Sequence, residues 1–327
     1  MPYAPRAMRV LLTGAAGFIG SHLAERLLAD GHEVTGFDSF DSFLYDAATK
    51  ERNVAPLTGR PGFRLVRADL LDARLLRELC RGKDLVVHLA ALAGVRPSIA
   101  DPPRYARTNV EGTLNLFEAC RSAGVHRVVF ASSSSVYGAR DATAVPFREA
   151  DPCISPASPY AATKRAGELL ASTYRDLFGL GITSLRFFTV YGPRQRPEMA
   201  IHKFTRALAA GQPVTLFGDG TTARDYTFID DIIDGTAAAC ARVAPGELAV
   251  YNLGGSRTTT LSRLVELIAG ALGVTPRIDW QPEQPGDVPI TFADVSRAAR
   301  ELGYAPKVPI EAGITRFVDW FRAQPGA

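Results

Sequence analysis

The sequence predicts an α/β fold, a doubly wound parallel sheet with a second, smaller domain. Three observations lead there. Through residue 188, short apolar runs rich in β-branched residues alternate with helical patterns. A glycine-spaced turn, Gly14-Ala-Ala-Gly17-Phe-Ile-Gly20, joins the first run to the first helical pattern. After Phe188 the texture changes, and glycine and proline become frequent. Strands alternating with helices mean right-handed βαβ units and a parallel sheet.

The elements follow in order. Arg9–Thr13 (RVLLT) reads as a buried strand, and Phe18–Asp30 as a helix with Ile19, Leu23 and Leu27 on one face. Glu33–Asp38 and Phe63–Ala68 read as the second and third strands, and Asp72–Arg81 as a helix. Asp84–Ala90 is a fourth strand, Tyr105–Ala123 a long helix, and Arg127–Ala131 a fifth strand. Helix Pro159–Phe178 and strand Ile182–Phe187 continue the alternation. Residues 1–188 are expected to form the first domain and 189–327 the smaller one, with 226–254 returning to the first.

Composition excludes several classes. The 327 residues are 46% hydrophobic and 22% charged, which fits neither a collagen-like nor a disordered chain. Basic and acidic residues number 37 and 34, so the charge balance offers no argument for nucleic acid or an anionic membrane as a partner. Cys80, Cys120, Cys153 and Cys240 form no CxxC pair, so free thiols of a cytoplasmic protein are expected, with no metal site. The apolar stretch after Arg6 and Arg9 is interrupted by glycines and reads as strand, turn and helix rather than as a leader. No run approaches the ~20 apolar residues of a membrane span.

Chemistry concentrates in three places. Gly14, Gly17 and Gly20 follow a strand and open a helix, the setting in which backbone N–H groups at a helix N-terminus receive a pyrophosphate. Asp38 ends the next strand, 18 residues beyond Gly20, where a carboxylate binds ribose hydroxyls and repels a 2′-phosphate, favouring NAD over NADP. Asp69, after the third strand, is expected either at the adenine edge or as a cap of the next helix. In Tyr160-Ala-Ala-Thr-Lys164, the i, i+4 spacing puts phenol and ammonium on one helical face. A nearby ammonium favours the phenolate, which makes tyrosine a usable base. Ser132–Ser135, before Val136-Tyr-Gly138, lie at the C-terminal end of the fifth strand, where doubly wound sheets bind ligands.

Together, Gly14–Gly20, Asp38, His88-Leu-Ala-Ala91, the Ser133 region and Tyr160xxxLys164 resemble the extended short-chain dehydrogenase/reductases, whose NAD-binding domain is a Rossmann fold. Within them the chain is most similar to nucleotide-sugar 4-epimerases, from about Met8 to Phe317. Ala93-Gly-Val-Arg96-Pro-Ser98 and Arg186–Ala200 are most like UDP-glucuronic acid 4-epimerases. The resemblance implies Ser133 as the catalytic hydroxyl, Tyr160 as the base and Lys164 as its partner. It further assigns Phe18, Ile19, Leu70, Leu89, Ala90, Ala91 and Asn109 to NAD, beside the glycines, Asp38, Asp69, Tyr160 and Lys164. The sugar and its C5 substituent fall to Arg96, Ser133, Ser134, Ser135, Thr189, Arg196 and Met199. The UDP falls to Arg224 and Asp287, with Phe204 and Phe217 beside the uracil. Gln284 departs from the family's usual arginine before Pro-Gly-Asp287. Related dehydratases and decarboxylases carry an acid near Ser134–Ser135, which is absent here. The resemblance also implies a homodimer formed by two helices of each chain, about Tyr105–Ala123 and Pro159–Phe178. Two alternatives stay open: a 4-epimerase of neutral UDP-hexoses or UDP-N-acetylhexosamines, and a non-catalytic NAD-binding sensor or scaffold.

Overall fold

The structure is a computed structural model that describes residues 7–139, 145–282 and 288–324. In chain order its first elements are β1 (Arg9–Thr13), α1 (Phe18–Ala29), β2 (Glu33–Asp38), α2 (Ala47–Val54), β3 (Phe63–Arg67), α3 (Ala73–Cys80) and β4 (Leu85–His88). Next come α4 (Val95–Ala100), α5 (Pro102–Tyr105), a π-helical stretch (Ala106–Glu111) running into α6 (Gly112–Ala123), β5 (Arg127–Ser133) and α7 (Pro159–Phe178). Then follow β6 (Gly181–Phe187), β7 (Thr189–Tyr191), α8 (Ala200–Ala209), β8 (Val214–Phe217), β9 (Ala223–Arg224), β10 (Tyr226–Phe228), α9 (Ile229–Arg242) and β11 (Leu248–Leu253). The last elements are β12 (Thr259–Thr260), α10 (Leu261–Leu272), β13 (Ile278–Gln281), α11 (Ser296–Leu302) and α12 (Ile310–Arg322).

The main sheet has seven strands in the order β11-β6-β5-β4-β1-β2-β3. β1 pairs in parallel with β2 on one side and β4 on the other, and β2 with β3 and β4 with β5 are parallel too. Strand order therefore reverses at β1, which opens a crevice beyond its carboxyl end. The fold is the doubly wound α/β sheet that the alternation predicts. β1 and β4 are wholly apolar at their centres (Val10, Leu11, Leu12; Leu85, Val86, Val87) because helices cover both faces. On one face, Leu11, Val86, Val128 and Ile182 pack with Leu76, Leu116, Phe117, Phe130 and Tyr174.

The chain divides into two compact units. One comprises residues 1–133, 158–186 and 236–251; the other comprises 134–157, 187–235 and 252–327. This grouping differs from the sequence expectation. Residues 134–157 join the second unit because Val136, Tyr137, Phe147 and Cys153 form one apolar cluster with Phe188 and Ala293. The returning segment narrows to 236–251, since Asp225 and Asp231 anchor their surroundings in the second unit. In that unit β7 pairs with β10, β8 with β13 and β9 with β12.

Element bounds also shift. The fourth strand stops at His88, where the His88 side chain turns into hydrogen bonds, and the third at Arg67. The helix expected over Tyr105–Ala123 is interrupted by the π-helical stretch at Ala106–Glu111. Among the described residues, no helix is long and apolar enough to cross a membrane.

Candidate active site

The glycine turn is built by close approach. Gly14 has φ 74°, and its N–H and that of Ala15 both donate to Phe37 O. A Cβ on Gly14 would lie 2.7 Å from Ala90 N, and one on Gly20 would lie 2.0 Å from Gly14 O. No other residue type fits either position without moving the backbone. Gly17 is the N-cap of α1 and has no side chain to cap it, which leaves the first-turn N–H groups of α1 without a side-chain acceptor, the setting that suits an anion. Phe18, Ile19 and Gly20 form that first turn.

Asp38 ends β2 nearly buried, at 5% exposure. Its carboxylate accepts from Ala16 N (3.1 Å) and Phe40 N (2.8 Å), and Lys50 Nζ lies 3.4 Å away. The carboxylate thus clamps the glycine turn to the loop after β2. Lys50 sits on α2, and sequence reading passed over it because a lysine in a polar helix carries no periodic signal. Asp69 is exposed and accepts from Leu71 N (2.9 Å), while Asp72 caps α3. Leu70 is buried against Gly112 and the α3–α6 core.

Beyond β4, a chain of hydrogen bonds fixes Leu89–Leu92. Thr13 Oγ1 accepts from Ala90 N (3.2 Å) and bonds His88 Nδ1 (2.8 Å). His88 Nε2 bonds Thr113 Oγ1 (3.0 Å), which itself donates to Asn109 O (2.5 Å). Because Thr113 spends its proton on Asn109 O, His88 carries its hydrogen on Nε2 and accepts at Nδ1. Burial beside the Lys164 charge pushes the imidazole down to about 3, so it is neutral. Asn109 accepts from Leu92 N (2.8 Å) and donates to Leu92 O (2.9 Å) and Thr163 Oγ1 (3.0 Å). Asn109 lies in the π-helical stretch, and such stretches often mark functional sites. Leu89, Ala90 and Ala91 are half-buried.

Helix α7 starts at Ser158, whose hydroxyl accepts from Ala161 N, with Pro159 at the first helical position. Tyr160 and Lys164 stand one turn apart on it. Tyr160 is half-buried and meets the Tyr105 ring edge-on at 6.4 Å. Lys164 is buried, donates to Ala131 O (2.6 Å) and lies 5.2 Å from the centre of the Phe130 ring. Burial pulls its ammonium down to about 7. Four residues further along, Glu168 accepts from Ser132 Oγ (2.6 Å), Arg186 Nε (2.9 Å), Arg186 Nη2 (2.9 Å) and Arg165 Nη1 (2.9 Å). The one-turn spacing after Lys164 was the available signal for Glu168, which sequence reading did not use. Ser133 is the last residue of β5 and is buried; Ser134 and Ser135 open the 3-10 turn that follows.

The second unit holds the remaining candidates. Thr189 starts β7 half-buried, and its N–H donates to Asp225 O. Arg196 pairs with Glu198 (3.1 Å) just before Met199, the N-cap of α8, and Phe204 lies in α8. Phe217 ends β8, and Arg224 ends β9. Beside Arg224, Asp225 is fully buried and accepts from Gly255 N, Ser256 N, Ala293 N and Thr227 Oγ1. Burial outweighs these donors and pushes the Asp225 carboxyl up to about 6. Arg96 is exposed on α4 of the first unit. Asp287 and Gln284 lie outside the described residues. Among those described, no group of three or more His, Cys, Asp or Glu side chains is placed to hold a metal ion.

A glycine cradle, a helix carrying half-buried Tyr160 and buried Lys164, and a serine-ended strand belong to one unit. The model of the NAD dependent epimerase/dehydratase family matches residues 10–254. This chain is a member of that family. Its relatives within the family align with nearly all of this chain. A UDP-glucuronate 4-epimerase of Arabidopsis thaliana is 42% identical, covering 95% of this chain and 75% of the plant protein. The crystal structure of a UDP-glucuronic acid 4-epimerase from Bacillus cereus, in complex with UDP-glucuronic acid and NAD, is 37% identical with a TM-score of 0.90, covering 96% of this chain and 99% of that one. A UDP-N-acetylglucosamine 4-epimerase from Methanobrevibacter ruminantium M1 is 32% identical with a TM-score of 0.89, covering 98% of this chain and all of the other.

Proposed function

We propose that this protein is an NAD-dependent UDP-glucuronate 4-epimerase, interconverting UDP-glucuronate and UDP-galacturonate through transient oxidation at C4. The observation that carries the reading is Lys164, a buried lysine anchored to Ala131 O one turn from Tyr160. A lysine is expensive to bury, and its place beneath a tyrosine gives the burial a use.

The residues fit NAD. The cradle has no room for a Cβ at Gly14 or Gly20, the first turn of α1 offers backbone N–H groups, and Asp38 closes the far side of the turn. Gly14, Gly17, Phe18, Ile19 and Gly20 would hold the pyrophosphate, Asp38 the adenosine ribose, and Asp69 and Leu70 the adenine side. Leu89, Ala90, Ala91 and Asn109 would line its path towards Tyr160 and Lys164. When bound, NAD supplies a hydride acceptor for C4 that can also return the hydride.

In this reading Tyr160 takes the proton of the C4 hydroxyl and later gives it back. The Lys164 ammonium favours the phenolate over the phenol. Ser133 orients the same hydroxyl. Ser134, Ser135 and Thr189 donate to the C5 carboxylate and hold it out of the plane-perpendicular geometry in which a 4-keto acid loses CO₂. The absence of an acid at Ser134 and Ser135 supports this, since a carboxylate there would repel the substrate. Arg224 and Asp287 hold the UDP, Phe204 and Phe217 flank the uracil, and Arg96, Arg196 and Met199 border the sugar.

A homodimer is part of the proposal. Leu114 on α6 and Leu169, Leu177 and Phe178 on α7 are exposed apolar side chains, and a four-helix bundle with a second copy would bury them. A cytoplasmic location is proposed too, supported by four buried cysteines outside any disulfide.

Product analysis by NMR and mass spectrometry, offering UDP-glucuronate, UDP-glucose and UDP-N-acetylglucosamine in parallel, tests the reading. UDP-galacturonate from the first sugar is expected. Turnover confined to the neutral sugars would replace the glucuronate assignment, and turnover of none would return the chain to a binding role.

A further inference from the structure

We propose that Glu168 is a positioning residue for proton transfer, setting the end of β5 against α7 so that Ser133 and Tyr160 keep their relative places. The proposal rests on the epimerase reading above.

Helix α7 presents Tyr160, Lys164 and Glu168 at successive four-residue steps, and so on one face. The two residues that lead into Ser133 are each bonded to that face. Ala131 O accepts from Lys164 Nζ at 2.6 Å, and Ser132 Oγ donates to Glu168 Oε1 at 2.6 Å. The first bond holds the main chain; the second fixes the side chain of the residue next to Ser133. Glu168 is itself immobilised. Arg186, on the neighbouring strand β6, grips both carboxylate oxygens at 2.9 Å, and Arg165 adds a third guanidinium contact at 2.9 Å. The Glu168 and Arg186 side chains are each 3% exposed.

An ion pair buried so deeply is a poor device for stability, because desolvation offsets most of the Coulomb attraction. It is a good device for geometry. The two-pronged guanidinium contact fixes the plane of the carboxylate, and the charge shortens and strengthens the bond from Ser132. The Glu168 carboxyl is held below its ordinary range by Arg186, Ser132 and Arg165 against the opposing effect of burial, so it stays an acceptor. β5, β6 and α7 are thereby joined through one carboxylate at the level of the catalytic strand end.

Two variants test this. Ser132→Ala cuts the link to β5 and leaves the Glu168–Arg186–Arg165 contacts whole. Glu168→Met/Arg186→Met removes the pair together, since Glu168→Gln alone would leave Arg186 buried without its counter-charge. Misplacement of about an ångström costs up to ~10²-fold. The expected result for each variant is a fall of ~10–100-fold in kcat on UDP-glucuronate with KM unchanged. The isotope effect of C4-deuterated substrate on kcat should rise, because transfer at C4 becomes the slow step. Thermal midpoint and copurified NAD should stay at wild-type levels in Ser132→Ala. A kcat and isotope effect equal to wild type in both variants would overturn the proposal. So would a kcat loss matched by loss of folded, NAD-loaded protein, which is what a purely structural role gives. The wild type is assayed first on the UDP-sugar panel. If it turns over only neutral sugars, the glucuronate reading fails, while the positioning role is still judged on the sugar it accepts.

Discussion

Lys164 is held at some cost, and pH exposes that cost. In the folded protein its ammonium gives up its proton near 7, against 10.5 for an ordinary lysine. Between those values the unfolded chain binds more protons than the folded one, so the Lys164 contribution to stability rises with pH across this window. Below about 7 the penalty is fully present. Lys164→Met removes it while keeping an unbranched apolar stem. The thermal midpoint of Lys164→Met should therefore exceed that of wild type at about pH 6, and the gap should narrow by about pH 9, by differential scanning fluorimetry. A lower midpoint than wild type at pH 6 would mean that the bond to Ala131 O outweighs the desolvation. Two substitutions address the chemistry. Tyr160→Phe keeps the ring against Tyr105 and removes the oxygen, and kcat should fall ~10²–10⁴-fold in a coupled assay with UDP-glucuronate. Ser135→Glu should weaken UDP-glucuronate binding and release CO₂ with a pentose product, measured by trapping labelled CO₂. Its effect on a neutral UDP-hexose should be far smaller.

At the scale of elements, the join of β1 to α1 has the least tolerance. A methyl group on Gly20 would have to occupy the place of Gly14 O, so Gly20→Ala forces the turn to open. Purified Gly20→Ala should carry little NAD, read from the ultraviolet spectrum of nucleotide released on denaturation. A full complement of NAD would show that the cradle is more yielding than its contacts suggest. This join, β2 through Asp38 and the Tyr160–Lys164 helix were all legible in the sequence, because glycine spacing, β-branched runs and an i, i+4 pair are local signals. Other elements gave no such signal. Helix α2 (AATKERNV) buries only Asn53 and Val54 and shows no apolar repeat. The π-helical stretch leaves no mark in periodicity, since its extra residue per turn is set by Asn109 reaching Leu92 and Thr163. Glu168 stands one turn after Lys164, but a glutamate in a helix is ordinarily solvated, and its partners on β5 and β6 are what give that spacing a meaning. Segment 134–157 was assigned by adjacency to β5, whereas Phe147 and Cys153 share an apolar cluster with Ala293, more than a hundred positions further along the chain.

For the molecule as a whole, association is the property most open to test. Light scattering at micromolar concentration should give a dimer mass, and Leu169→Glu/Leu177→Glu should give a monomer that still retains NAD. A wild-type monomer would remove the four-helix arrangement from the proposal.

The chain leaves and re-enters its first unit at 133/134, 157/158, 186/187, 235/236 and 251/252. Ser133, Tyr160 and Thr189 each lie within three residues of one of these passages. A ribosome makes such a protein from one end only. When residue 188 emerges, the main sheet still lacks its edge strand β11, and β6 presents unpaired main-chain groups until Leu248–Leu253 have been translated. The first unit lacks its last segment until residue 251 has been made, and the second still awaits 252–327 at that point. The nascent polypeptide must therefore wait, with an open sheet margin, from the completion of β6 at Phe187 until β11 ends at Leu253, which makes that interval the one in which chaperone protection matters most.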